Sequence, residues 1–279
     1  QKYGKNRTRR TEIAAFDTIQ ATAVVANNAK LYVNRAEGFI GMGLKKDEFV
    51  QDCSDIDDII VFRRDGVMKI VKIGEKVFVG KDLIYVAVWK KNDERTTYNM
   101  AYAEGKQGRT MVKRFNVTAI TRDKEYPLAT TEKGSKVLYF TANLNGESEV
   151  VNVQLSPACT AKIKNFDYDF GELAIKGREA QGNILTKYPV RQIRHKEVGK
   201  STIGAQKFWY DEITGRLNTQ ERGALLGEFD TGDGVFILYN NGTYEVTDTD
   251  VQQRFEPKDI LHLSKFDLNT VINVVHFDG

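Results

Sequence analysis

Apolar positions along the chain come in short runs broken by turn residues. Ile59-Ile60-Val61-Phe62 is followed by Arg63-Arg64-Asp65-Gly66, then by Val67-Met68-Lys69-Ile70, which reads as strand, Asp-Gly turn, strand. Val235-Phe236-Ile237-Leu238-Tyr239 leads through Asn240-Asn241-Gly242 into Thr243-Tyr244-Glu245-Val246 in the same way. In both turns the second central residue needs positive φ, which glycine adopts at little cost. No stretch of convincing length has helical period; Glu75 to Leu83 and Asp250 to Ile260 leave room for short turns only. The longest apolar runs, Ile84 to Trp89 and Val235 to Tyr239, are far short of the roughly 20 residues that span a bilayer. The pattern predicts an all-β chain.

The elements repeat. Ala29-Lys30-Leu31-Tyr32-Val33, ending at Gly38, matches Gln206-Lys207-Phe208-Trp209-Tyr210, ending at Gly215. Downstream of the paired hairpins, Lys81-Asp82-Leu83-Ile84 matches Lys258-Asp259-Ile260-Leu261, and Tyr98-Asn99-Met100 up to Gly105 matches Ile272-Asn273-Val274 up to Gly279. A block of roughly 75 residues recurs about 175 positions later. A second offset of about 73 residues relates Arg114-Phe115-Asn116-Val117-Thr118-Ala119-Ile120 to Lys187-Tyr188-Pro189-Val190-Arg191-Gln192-Ile193. Hairpin tips at Gly38, Gly66, Gly105, Gly146, Gly215, Gly242 and Gly279 are mostly about 27 to 41 residues apart, the period of propeller-like blades that bury their faces by stacking on neighbours. The gap from Gly146 to Gly215 is double, with room for another unit around Phe170 to Ile184. The expected architecture is a radial array of four to six antiparallel blades.

Composition changes this picture little, and charge changes it more. Forty-one Lys and Arg against 38 Asp and Glu leave a net charge of +3, which excludes a uniformly basic chain but not opposed patches. One basic stretch holds Lys106, Arg109, Lys113, Arg114, Arg122 and Lys124 against Asp123. A second holds Lys176, Arg178, Lys187, Arg191, Arg194, Lys196 and Lys200 against Glu179 and Glu197. These stretches are the ones joined by the second offset, so basic character is expected to recur with the architecture. Lys2, Lys5, Arg7, Arg9 and Arg10 form a basic lead-in, while Glu228 to Asp259 is mainly acidic. Lysines and arginines along the rim of stacked blades suit phosphate-backbone binding without base readout. Phe115 and Tyr188, interleaved with them, are expected to pack between sheets rather than stack on bases. A different reading makes the array a protein-docking platform using the acidic surface near Asp248.

Nothing assembles an active site. Val198-Gly199-Lys200-Ser201 has the end of a phosphate loop, but its first glycine position is Arg194. Asp52, Asp55, Asp57, Asp58, Asp248 and Asp250 lack the glycine and terminal glutamate of a calcium loop and read as solvated turns. His195, His262 and His276 stand apart, and no Gly-x-Ser-x-Gly occurs. Cys53 and Cys159 read as reduced thiols. Catalytic and metal-binding residues are therefore none. The chain opens with Gln1 and no apolar leader follows, so a cytoplasmic piece of a longer polypeptide is expected, without a membrane partner.

Gln1-Lys2-Tyr3-Gly4-Lys5-Asn6-Arg7-Thr8-Arg9-Arg10-Thr11-Glu12-Ile13 resembles the end of the breakage-reunion domain in bacterial type IIA topoisomerase A subunits. The repeated strands with Asp-Gly or Asn-Gly turns resemble the C-terminal β-pinwheel domain of those subunits. So does Ala174-Ile175-Lys176-Gly177-Arg178-Glu179-Ala180-Gln181-Gly182-Asn183-Ile184, with its Arg-x-Ala-x-Gly before a strand. The resemblance implies a junction at residues 1–13 and a repeated DNA-binding body at 14–279; the last residues, His276-Phe277-Asp278-Gly279, read as a hairpin tip, so that body is expected to be truncated at its C-terminal end. It implies a β-pinwheel that binds and bends duplex DNA through Lys5, Arg7, Arg9, Arg10 and the residues of the two basic stretches. The chain itself would not be an enzyme and would hold no cofactor. Partners would be duplex DNA, the upstream breakage-reunion domain and the ATPase B subunit of an A2B2 holoenzyme, to which Mg2+ and ATP belong. Gyrase A subunits carry a Gln-Arg-Arg-Gly-Gly-Lys-Gly box that this chain lacks. That favours the topoisomerase IV kind, which relaxes and decatenates, over the gyrase kind, which wraps DNA to supercoil it.

Overall fold

Each turn signal closes a hairpin, and a third strand then returns to the other side of the first. This three-strand unit recurs in a computed structural model of the chain, which describes residues 28–106, 108–129, 133–251, 253–273 and 275. Six sheets are found among the described residues, here called blades I to VI. Blade I has Ala29–Asn34, Phe39–Gly41 and Glu48–Cys53 as first, second and third strands; blade II has Asp58–Arg63, Val67–Lys72 and Leu83–Trp89. Blade III has Thr97–Ala103, Thr110–Asn116 and Lys136–Asn143; blade IV has Glu147–Leu155, Asn165–Asp169 and Val190–Ser201. Blade V has Gln206–Asp211, Arg216–Asn218 and Ala224–Phe229; blade VI has Val235–Tyr239, Tyr244–Thr247 and Ile260–Lys265. Each is antiparallel with the first strand central. Helix among the described residues is limited to the 3-10 turns Phe170–Glu172 and Pro257–Asp259, and no helix is long and apolar enough to cross a membrane. The all-β expectation holds, at the upper end of four to six blades.

Neighbouring blades are tied by the link between second and third strands, which reaches back as a strap onto the preceding blade. Val77–Phe78 pairs with Phe39–Ile40 of blade I, and Glu125–Pro127 pairs with Val67–Lys69 of blade II. Lys176–Gly177 and Asn183–Thr186 both pair with Thr110–Asn116 of blade III. On blade V the strap shrinks, among the described residues, to one bridge, Arg216 to Arg254. Gly38 shows why the turn and strap require glycine: its φ is +79°, and a Cβ there would lie 2.1 Å from the Gly80 carbonyl oxygen of the strap.

Stacking buries the alternating apolar residues between blades. Leu31, Val33 and Ile40 meet Ile59, Val61 and Val71 between I and II; Ile60, Phe62, Met68 and Ile70 meet Tyr98, Met100 and Tyr102 between II and III. Ala101 and Val112 meet Val151, Val153, Phe170 and Ile193 between III and IV, and Phe208, Tyr210 and Phe229 meet Val235 and Ile237 between V and VI. Glu149 adds a polar tie between III and IV, accepting from Asn99 Nδ2 at 2.9 Å, Tyr139 Oη at 3.2 Å and Thr141 Oγ1. None of these core clusters joins IV to V. By strand alternation, blade IV turns Asn152, Gln154, Asp167, Gln192 and Arg194 away from its core, with Val150 among them, so that face is mainly polar. Cys53 and Cys159 are free thiols, Cys53 buried.

Three expectations change. The second offset is not structural: Thr110–Asn116 is the second strand of blade III, whereas Val190–Ser201 is the third strand of blade IV. Gly146 lies in the turn between blades III and IV rather than at a hairpin tip within a blade; the hairpin of blade IV is the glycine-free loop 156–164. The segment from Phe170 to Ile184 is a strap rather than a further unit. The longer repeat holds, with blades I and II matching V and VI strand for strand. Its last correspondence, at 272–279, falls largely outside the described residues, and the described part is not in a strand.

Candidate nucleic-acid interface

The expected basic residues divide into four groups. Lys5, Arg7, Arg9 and Arg10 lie outside the described residues. Lys113 and Arg114 are buried, at 3% and 2% exposure, which corrects the expectation that they face a ligand. Their strand is packed on both faces and covered along its edge by straps, so Thr110 to Phe115 are all buried. Lys113 Nζ donates to the carbonyls of Leu128 (2.7 Å), Arg178 (2.9 Å) and Ala180 (3.1 Å), and burial pushes its pKa down to about 8. Arg114 Nη2 donates to the carbonyls of Gly146 (2.7 Å) and Glu147 (2.9 Å). Both cations hold the fold together.

A third group lies on the strap side of the blades. Arg178 stacks on Tyr126, its guanidinium carbon 4.4 Å from the ring centroid, and donates to the Ala119 carbonyl at 2.6 Å. The strap of blade IV thereby grips that of blade III. Lys124 lies over the same ring at 5.3 Å. These residues, with Ala119, Thr121 and Glu179, line a shallow open groove of about 620 Å³. Arg122 is paired with Asp58 at 2.7 Å and Arg109 with Glu104 at 2.6 Å; Lys106, Lys176 and Lys187 are exposed.

The fourth group occupies the opposite edge, on the third strand of blade IV. Val190–Ser201 carries Arg191, Arg194, Lys196 and Lys200, all exposed, against Glu197. Its pairing with Glu147–Leu155 slips at three points. At two of them Arg191 and Lys196 are the extra residues without a cross-strand partner, and the third slip falls at Gly199-Lys200. Such bulges turn side chains out of the ladder and are common at sheet edges beside functional sites. Lys196 is paired with Asp167 at 2.6 Å, an exposed pair that competes weakly with another anion. Arg191, Arg194 and Lys200 have no ion pair among the described residues. The third strand of blade I, Glu48–Cys53, carries Glu48 and Asp52 instead.

One cationic pair escapes a linear reading of the sequence. Arg216 and Arg254 face each other across the single bridge on blade V, where blade I has Phe39 opposite Phe78. Aligning the two repeats position by position is the signal that exposes it. Much of the acidic stretch is engaged locally: Asp233 pairs with Lys265 at 2.6 Å, and Glu245 accepts from Tyr239 Oη at 2.5 Å. The aspartates before the strands act as turn caps. Asp57 Oδ2 accepts from Ser54 N, and Asp233 Oδ2 from Asp230 N, each at 2.7 Å.

Comparison with known proteins gives a family, a relative and two solved structures. The family described as "Topoisomerase C-terminal domain, Bacteroidota" matches residues 30–197 and 216–279. The A subunit of DNA topoisomerase 4 from Borreliella burgdorferi is 24% identical over 200 residues, covering 70% of this chain but only 29% of that protein. Among solved structures, the C-terminal domain of DNA topoisomerase IV matches 85% of this chain and 92% of its own at 10% identity and a TM-score of 0.44. The DNA gyrase A C-terminal domain matches 85% and 99% at 11% identity and a TM-score of 0.31.

Proposed function

We propose that this chain, which belongs to the topoisomerase C-terminal domain family of Bacteroidota, is the domain with which a type IIA topoisomerase A subunit holds and bends duplex DNA. The whole protein is of the topoisomerase IV kind and works in the bacterial cytoplasm. The chemistry of strand passage lies outside this chain, in a breakage-reunion domain and an ATPase B subunit that use Mg2+ and ATP. This domain contributes phosphate-backbone contacts that position a DNA segment for relaxation or decatenation.

The observation that supports this reading best is the bulged basic strand of blade IV. Arg191 to Lys200 spans about 30 Å at roughly 3.3 Å per residue, while phosphates along one DNA strand repeat every 3.4 Å of axis. Four cations on such a line can each meet a phosphate without reading a base. A smooth bend of 40–90° costs roughly 1–6 kcal/mol, so a curved duplex needs several such contacts.

Four neutralised phosphates give a log–log salt slope of about −3.6, so affinity for a linear duplex should fall by roughly 150-fold between 50 and 200 mM salt. Changing Arg191, Arg194, Lys196 and Lys200 to Glu together should weaken binding at least about tenfold for every duplex sequence and flatten the slope. A gel-shift titration reads both. Salt-independent binding, or binding unchanged by the four reversals, would sink this assignment. Loss confined to certain sequences would argue for base readout instead.

A further inference from the structure

Blades I and V follow one plan, yet their outward faces differ at matching positions. In blade I, alternation sends Leu31, Val33 and Ile40 into the core and leaves Tyr32, Phe39, Phe49 and Phe78 on the other face. The Tyr32 and Phe49 ring centroids are 5.8 Å apart, those of Phe39 and Phe78 5.3 Å. These four rings fall one on each strand of a four-stranded sheet, with Phe49 and Phe78 50% and 55% exposed. Lys30 and Lys76 lie over Phe49 and Phe39. In blade V the matching positions are Trp209, Arg216, Leu225 and Arg254. One blade thus presents an aromatic face and its counterpart a face with two arginines in place of two of the rings.

What precedes each blade differs in the same sense. Blade V follows blade IV after only Thr202 to Ala205, too little chain to lie across a sheet. Blade I follows 27 residues that lie outside the described part. Within them Ile13-Ala14-Ala15-Phe16-Asp17-Thr18-Ile19-Gln20-Ala21-Thr22-Ala23-Val24-Val25-Ala26 contains one charge, Asp17, and small or aliphatic residues at the alternate positions 19, 21, 23 and 25. A four-stranded sheet is about 14 Å across, three spacings of roughly 4.8 Å. At about 3.3 Å per residue, five extended residues cross it, so the segment is long enough with chain to spare. Its exit is held at blade I, where Asn28 Oδ1 accepts from Asp55 N at 3.1 Å.

We propose that Ile13–Ala26 docks on the outward face of blade I and covers Tyr32, Phe39, Phe49 and Phe78. The occupant is this chain's own lead-in. The aromatic face stands where an apolar segment arrives, and the arginine-bearing face where none does. Docking gives the chain a fixed direction of entry into the array, and it holds whether or not the blades bind DNA.

Hydrogen exchange on the whole 279-residue chain tests this. Amides within 13–26 should exchange at least about tenfold more slowly than in a free peptide of the same sequence. Phe49→Lys with Phe78→Lys should abolish that protection and lower the urea midpoint by no more than the lost docking, while the blades stay folded and the amides of their core strands remain slow to exchange, because both side chains are exposed. Leu225→Lys on blade V should leave the protection intact. Free-peptide rates in the unmodified chain would overturn the proposal, as would protection that survives the double substitution. Protection that disappears on dilution, with a dimer in sedimentation, would also overturn it by making a second copy the occupant.

Discussion

Blades I and II and blades V and VI show one local design in two settings. The bulge between Leu31 and Tyr32 recurs between Phe208 and Trp209. Gly38 and Gly215 both turn the first hairpin at positive φ, and the Asp57 cap recurs at Asp233. The settings then diverge. Blade II is covered on its far side by blade III, so Phe62 packs 4.8 Å from Tyr98 and 4.5 Å from Phe140, ring to ring. On blade VI the positions matching Met68 and Ile70 are Tyr244 and Val246, 70% and 46% exposed. Strand, turn and register are therefore written in the local sequence, while burial is decided by what the neighbouring blade supplies.

Truncating one matched position in each half puts that difference at risk most directly. Met68 sits opposite Phe62, and Tyr244 sits opposite Leu238 in the same register. Met68→Ala should cost about 2–5 kcal/mol, the usual range for emptying a sealed core site. Tyr244→Ala should fall within about 0.5 kcal/mol of no effect, as exposed sites do. Urea unfolding of the two variants measures both. A large loss at Tyr244 would mean that blade VI has a cover of its own.

A turn glycine carries the same contrast on a smaller scale. Gly66 and Gly242 sit in matching hairpins at φ +80° and +81°. A Cβ on Gly66 would lie 2.6 Å from Ala129 Cβ, beside the strap from blade III, whereas none of the described residues lies within 4 Å of one on Gly242. Alanine at either site forces the left-handed conformation at about 1–2 kcal/mol. Only Gly66→Ala should add a packing penalty of about 1–3 kcal/mol. Equal losses in urea midpoint would show that the strap does not press on the turn.

This division also explains what can be read from residues alone. The repeat is legible because Asp-Gly and Asn-Gly turns between aliphatic runs impose a hairpin without outside help. The blade count is obscured at blade IV, whose loop 156–164 closes the hairpin without glycine. Lys113 and Arg114 are misplaced by a linear reading for a physical reason. In Thr110–Asn116 a basic pair reads as a solvent-facing surface, but the straps that cover it come from about 60 to 75 residues later in the chain. The exposed cations of Val190–Ser201 are visible in composition, whereas the bulges that turn them outward depend on pairing with Glu147–Leu155. Arg216 and Arg254 become a pair only when their bridge places them opposite each other.

The smallest expected effect concerns the buried Lys113 ammonium, a feature of the strapped half. It is held by carbonyls from two links, Leu128 on one side and Arg178 and Ala180 on the other. Its pKa is lowered by burial from 10.5 to about 8. Between those values the unfolded chain binds a proton that the folded chain has released. The Lys113 contribution to stability therefore rises with pH across that window, by at most about 1.4 kcal/mol per unit. Below pH 8 both states are protonated and the slope vanishes. Buried tyrosines oppose this above pH 10: Tyr85 and Tyr102 are pushed up to about 12 and Tyr98 further, so folding resists their ionisation. They are common to the unmodified chain and to Lys113→Met, and cancel in the difference between the two. From pH 7 to pH 9.5 the gap in urea midpoint should therefore shift in favour of the unmodified chain. A flat gap would mean that the three carbonyls keep the ammonium charged in the folded state despite its burial.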